Sequence, residues 1–275
     1  MRLPAIVVVK QRHLEKRAST HRWSLLLWPW LLVGAAWAVT LLAVFTRHTE
    51  WGDHHHLLQA SGLPFVSALG FFLASWQVMI LAMMFPTVAA HKSVSPPGVP
   101  VMFLAGYDLI WTAFGCVAFL GDALIHRLVA NWSWLSAHDT IIATGLLALA
   151  GAYQFTPWKT RFLMACQAEV GGFSQSQRAG MTHLDAACRA GGRSGLSHLG
   201  SCWALMLAMF GVGMGSLVWM AALTCVMAAE QLSGPRAGAL RWAVGVIFLG
   251  LAILILALPA APPGRFGLAG LLFFR

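Results

Sequence analysis

Two sets of side chains in this sequence have the types and spacing to hold a transition metal. In the first, Asp122 and His126 stand one helical turn apart and His138 follows across a short connection. A carboxylate with two imidazoles suits copper or zinc, the imidazoles binding either ion and the carboxylate supplying charge. Asp108, Gly115, Asp122 and His126 fall on one stripe of a helical wheel. In the second set Cys166 precedes His198 and Cys202, again one turn apart, and thiolate with imidazole suits Cu(I) or zinc. His183 and Cys188 could join it, and Met206, Met209 and Met220 continue the stripe. Thioethers also fill cores, and Met206 and Met209 read more as core than as conduit. A third group, His48, Asp53, His54, His55 and His56, is a short histidine-rich tract able to bind metal or to lie solvated.

The elements that must position these groups are apolar helices. The 275 residues are 59% hydrophobic and only 10% charged, against roughly 25% charged in a soluble domain, and mean hydropathy is +0.72. A bilayer span needs about 20 apolar residues. That criterion gives about six spans in an all-α, polytopic bundle occupying residues 24–259, between a basic segment (1–23) and a short tail (260–275). Arg2, Lys10, Arg12, Lys16, Arg17 and Arg22 place the N-terminus in the cytoplasm. Asp122, His126 and His138 then lie at the outer face, and Cys166, His198 and Cys202 at the inner one. The fifth apolar segment, His198 to Gln231, is too long for one perpendicular span. It reads as one unusually long helix, tilted or kinked at Gly211, Gly213 and Gly215. Dividing it in two would leave the sidedness of the basic residues unchanged, so charge does not choose. Glu230 falls at its outer end, as a snorkelling residue.

Several functions lose support. The net charge of +9 flanks spans instead of forming a basic face, which argues against nucleic acid. Five cysteines, an odd number without a close pair, imply no disulfide framework. No P-loop, GxGxxG or GxSxG stands in a strand-to-helix context.

Local patterns add a family resemblance. Ala82-Met83-Met84-Phe85-Pro86, Gly106-Tyr107 with Trp111, Tyr153-Gln154-Phe155-Thr156-Pro157-Trp158-Lys159, and Gly200 through Trp203 with Leu205-Met206 and Trp219-Met220 resemble the predicted metal-binding integral membrane proteins, catalogued as domain of unknown function 2182 (DUF2182). The match covers about residues 65–232 and implies a bacterial inner-membrane protein with a metal site. Where the family pattern carries two cysteines after the YQ-x-TP-x-K segment, this chain has Phe162 and Cys166, and His198, Ser201 and Cys202 replace a cysteine-rich approach to the long helix. The Asp122, His126 and His138 set is also similar to the copper-binding helix of membrane-bound copper monooxygenases.

The expectation is a multi-pass inner-membrane protein handling a transition metal, copper before zinc, with the outer set as the better-placed site. Its partners would be the lipid bilayer and a metallochaperone or another membrane subunit. Binding, storage or transfer is expected ahead of catalysis. The alternatives are a metal-dependent membrane oxidoreductase and a structural helical subunit of a larger complex.

Overall fold

The structure, a computed structural model, describes residues 30–46, 57, 62–86, 99–136, 138, 140–168, 183–212, 216–233 and 237–257. The basic N-terminal segment, the histidine tract from His48 to His56 and the C-terminal tail lie outside the described residues. All regular structure among the described residues is helical. The helices are α1 (Trp30–Phe45), α2 (Phe65–Met83), α3 (Val99–Asn131), α4 (Ser133–Ser136), α5 (Thr140–Gln154), α6 (Pro157–Ala168), α7 (His183–Val212), α8 (Leu217–Leu232) and α9 (Ala237–Ala257). Three of them, Phe65–Met83, Val101–Asn131 and Gly238–Ala257, are long and apolar enough to cross a membrane.

The segment from His198 to Gln231 is divided between two helices. α7 begins at His183, well upstream of the apolar run, and ends at Val212. α8 begins after Ser216, whose side chain accepts a hydrogen bond from the Trp219 backbone N–H. The segment expected as one helix is therefore two, the first ending one residue past Gly211. A similar device separates α5 from α6: Thr156 Oγ1 accepts from Lys159 N at 3.4 Å, and Pro157 takes the first helical position, where its missing N–H is no loss.

α3 and α7 lie closest together, because their contact is made of backbone. A Cβ at Gly191 would overlap the Phe103 carbonyl, one at Gly106 would overlap the Cys188 carbonyl, and one at Gly195 would stand 3.0 Å from the Tyr107 carbonyl oxygen. The register 103 to 191 and 107 to 195 makes the two helices parallel. α2 runs antiparallel to α3: Phe65 meets Phe119 at 5.6 Å between ring centroids, and Trp76 Nε1 donates to the Trp111 carbonyl at 2.9 Å. α5 runs antiparallel to both α7 and α9, with Tyr153 donating to the Gly200 carbonyl and Gly151 pressed on Leu249. α8 returns antiparallel to α9, Trp219 lying 6.3 Å from Phe248 between centroids. The buried residues form one core drawn from α2, α3, α5, α7, α8 and α9.

Gly191→Ala is expected to destabilise the protein by about 1–3 kcal/mol, because a methyl group would wedge two backbones apart. Gly121→Ala on the same helix pair meets open space and should be neutral or stabilise by up to about 1 kcal/mol through helix propensity. Thermal unfolding of the purified protein in detergent compares the two.

Candidate metal centre

His198 and Cys202 lie one turn apart on α7 and both are buried, at 3% and 2% exposure. The helix itself sets their relation: the Cys202 thiol donates to the His198 carbonyl at 3.1 Å, and Ser201 Oγ donates to the same carbonyl at 2.7 Å. The glycine contact between α3 and α7 brings the Tyr107 hydroxyl into a hydrogen bond with His198 Nδ1. The Trp111 ring stands edge-on to the imidazole at 5.7 Å. In the tautomer whose Nδ1–H donates to the tyrosine oxygen the lone pair lies on Nε2, as in a metal-ligating histidine held by a second group; in the other tautomer the hydroxyl donates to Nδ1 and Nε2 carries the proton. Nε2 is buried and meets no hydrogen-bond partner among the described residues, a costly condition for a polar atom in an apolar core. Cys166, on α6 and half-buried, lies within electrostatic reach of Cys202 and Tyr107. Phe162, in the position where the resembled family carries a cysteine, packs its ring on Gly200.

A charged pair invisible in the sequence borders this cluster. Lys159 Nζ lies 2.7 Å from Glu230 Oε2, and both side chains are buried. Glu230 therefore does not snorkel from the outer end of a long helix. Because α8 turns back along α7, it comes to the His198 end of the bundle, within electrostatic reach of Cys202. Burial pulls the Lys159 ammonium below its ordinary range, and the Glu230 carboxylate opposes that pull. Arg241 on α9 donates to Thr160 beside the pair. Gln154 is also buried here, with neither side-chain polar atom directly hydrogen-bonded among the described residues.

At the other end of the bundle, Asp122 and His126 are paired as their spacing requires. His126 Nδ1 stands 2.9 Å from the Asp122 carbonyl oxygen and 3.5 Å from Oδ1. His138 does not join them. The short helix α4 turns it onto Trp134, where Nδ1 reaches the Trp134 carbonyl oxygen at 2.8 Å and the rings stack at 4.7 Å. Among the described residues no three His, Cys, Asp or Glu side chains gather closely enough to hold a metal ion. His183 opens α7, and Cys188 serves the helix contact through its backbone.

The methionines seen at helical spacing are packed into the core. Met83, Met206 and Met209 are completely buried, and Met79, Met220 and Met227 nearly so. All belong to α2, α7 and α8, the helices around His198 and Cys202 or directly beyond them.

Removing one member of the buried pair, by Lys159→Met or Glu230→Leu alone, should cost about 3–5 kcal/mol, because a charge is left alone in the core. The double substitution should recover most of that loss. Thermal unfolding of the three variants tests the pairing, and equal losses in singles and double would refute it.

A family model described as PpoB2, copper chaperone, matches residues 73–255. No curated protein and no solved structure matches the chain.

Proposed function

Since this chain belongs to the PpoB2 copper-chaperone family, we propose that it is a membrane-embedded protein that takes Cu(I) as cargo at His198 and Cys202 and hands it to a partner. One observation carries the reading: a buried histidine nitrogen without a hydrogen-bond partner among the described residues, one turn from a buried thiol. Thiolate and thioether donors select Cu(I) over harder ions, and imidazole completes a set that binds the ion without demanding a rigid four-ligand cage. Since no group of three histidine, cysteine or carboxylate side chains gathers among the described residues, a methionine supplies the remaining donor. Cys166, less buried and closer to the helix exterior, is the intake ligand.

The membrane setting is supported by the surface of the helices. Phe45, Val66, Leu109, Val218 and Ile253 are all more than 60% exposed and belong to five different helices. Such an apolar periphery around a core containing an ion pair suits lipid as the surrounding solvent. The basic N-terminal segment supports a cytoplasmic N-terminus by the positive-inside rule, and with alternating crossings His198, Cys202, Lys159 and Glu230 would then lie on the inner side of the bilayer. The cargo is exchanged there with a soluble metallochaperone or a membrane subunit. A second station at Asp122 and His126 is favoured by the approach of that pair, His138 being withdrawn onto Trp134.

Competition for Cu(I) between the purified protein and a chromophoric chelator measures the site. His198→Ala and Cys202→Ser should abolish tight binding at this site, seen as loss of the copper–nitrogen scatterer. Tyr107→Phe keeps both ligands but removes the group that orients the imidazole, and should weaken binding about 10- to 100-fold. Wild-type affinity in all three variants would sink the proposal, as would a wild type that binds no copper.

A further inference from the structure

The buried methionines are not spread through the core. α5 and α9 contribute Leu147, Ala150, Val244, Phe248, Ala252 and Ile255 to it and contain no methionine at all. Among the described residues the nearly fully buried thioethers lie on α2, just past its end at Met84, and on α7 and α8, while Met102 of α3 packs half-buried against the core; the register of α2, α7 and α8 places theirs in order of depth. Trp76 and Phe72 meet Phe210 at 6.2 and 6.0 Å between centroids. Because α2 and α7 are antiparallel, one turn back from Phe210 to Met206 corresponds to one turn forward from Trp76 to Met79. One turn further, Cys202 stands level with Met83. On the other side, α7 ends at Val212 and α8 begins at Leu217. Met209 and Met220 lie three residues from those ends, and Cys202 and Met227 lie ten residues from them, so each pair shares a depth in an antiparallel arrangement.

From this placement we infer a second Cu(I) site, formed by the thioethers of Met79, Met206, Met209 and Met220, about 10 Å beyond Cys202 along α7 at 1.5 Å per residue. The inference rests on the reading of His198 and Cys202 as the first copper site, where Met83 and Met227 stand level with the thiol. The deep site differs from the first in chemistry. A Cu(I) ion moves from thiolate and imidazole to thioether by ligand exchange: Cu–S(thioether) bonds form, Cu–S(thiolate) and Cu–N bonds break, the Cys202 thiolate takes up a proton from solvent at the His198 end and so regains the thiol that donates to the His198 carbonyl, and no electron is transferred. Four thioethers favour Cu(I) strongly over Cu(II) and Zn(II), which prefer nitrogen, oxygen or thiolate. The Phe72, Trp76, Phe119 and Phe210 rings close over the deep end of the column. The site is therefore a protected reservoir filled from the His198 end.

The test loads the full-length protein with Cu(I) anaerobically in detergent and measures bound copper together with copper X-ray absorption. Wild type should retain two equivalents. His198→Ala with Cys202→Ser should retain one, in a shell of sulfur only, and Met209→Leu with Met220→Leu, which keeps side-chain volume, should retain the other with its nitrogen scatterer. Selenomethionine-labelled wild-type protein provides a second measurement that leaves the fold untouched: a copper–selenium shell is expected, diminished in the Met209→Leu, Met220→Leu variant. Absence of that shell, or unchanged stoichiometry in the leucine variant, overturns the deep site. A wild type that binds a single equivalent lost only with His198 and Cys202 leaves the first site standing and removes the second. A wild type that binds none removes both.

Discussion

The backbone contact between α3 and α7 governs the geometry of the candidate centre. Side chains ordinarily hold helices 8–10 Å apart, and here Gly106, Gly191 and Gly195 let carbonyl oxygens of one helix fill the space of absent methyl groups on the other. Helices that meet in lipid lack a hydrophobic drive toward each other, so close approach at small residues, with its dispersion contacts, carries much of the association. The consequence for chemistry is local. At that separation the Tyr107 side chain reaches over one turn of α7 to His198 Nδ1, and Trp111 follows to wall the imidazole. A wider helix pair would leave both ring nitrogens of His198 uncommitted.

The buried Lys159 and Glu230 pair is a less economical feature. Removing two charges from water costs several kcal/mol per ion even after relaxation, and the attraction between them repays this only in good geometry. An approach of 2.7 Å provides the geometry. The pair also ties α6 to α8, two elements without extensive contact of other kinds. α6 carries Cys166 and packs Phe162 onto Gly200, so the ion pair fixes the half-buried thiol against the same stretch of α7 that presents Cys202. Its value lies as much in holding the register of three elements at the His198 end as in net stability.

The helical class and most helix positions were legible because a run of apolar residues the length of a bilayer leaves few alternatives. The fate of the fifth segment was not, and the physical reason is length. Counted from His198, its residues seemed too few for two crossings, but α7 starts at His183 and α8 has 16 residues, about 24 Å of helix. Two short helices therefore fit where one long one was expected. Glu230 follows from that single difference: on one helix it belongs at the far end from His198, on two it returns to the His198 end of the bundle and meets Lys159. The outer set was half legible. The one-turn spacing of Asp122 and His126 survives in three dimensions, whereas His138 depended on a connection whose short helix α4 turns it onto Trp134. The methionines were visible at helical spacing and read as core, and Met206 and Met209 are buried there; which helices face one another around them is what the sequence does not reveal.

The composition of the inner cluster bears on what kind of copper protein this is. A site built to keep its ion uses a full set of first ligands oriented by hydrogen bonds to a second layer. Here one histidine has such an orienting group, one thiol is tied only to its own helix, and the other available donors are neutral thioethers on flexible side chains. Each thioether bond is weak, and methionine repacks readily. An ion held this way can exchange one ligand at a time without any intermediate being bare, which is the requirement of transfer between proteins. The same softness that made the methionines look like packing is what a carrier needs. A rigid site of Asp122, His126 and His138 at the other end of the bundle would have suited catalysis better than hand-off.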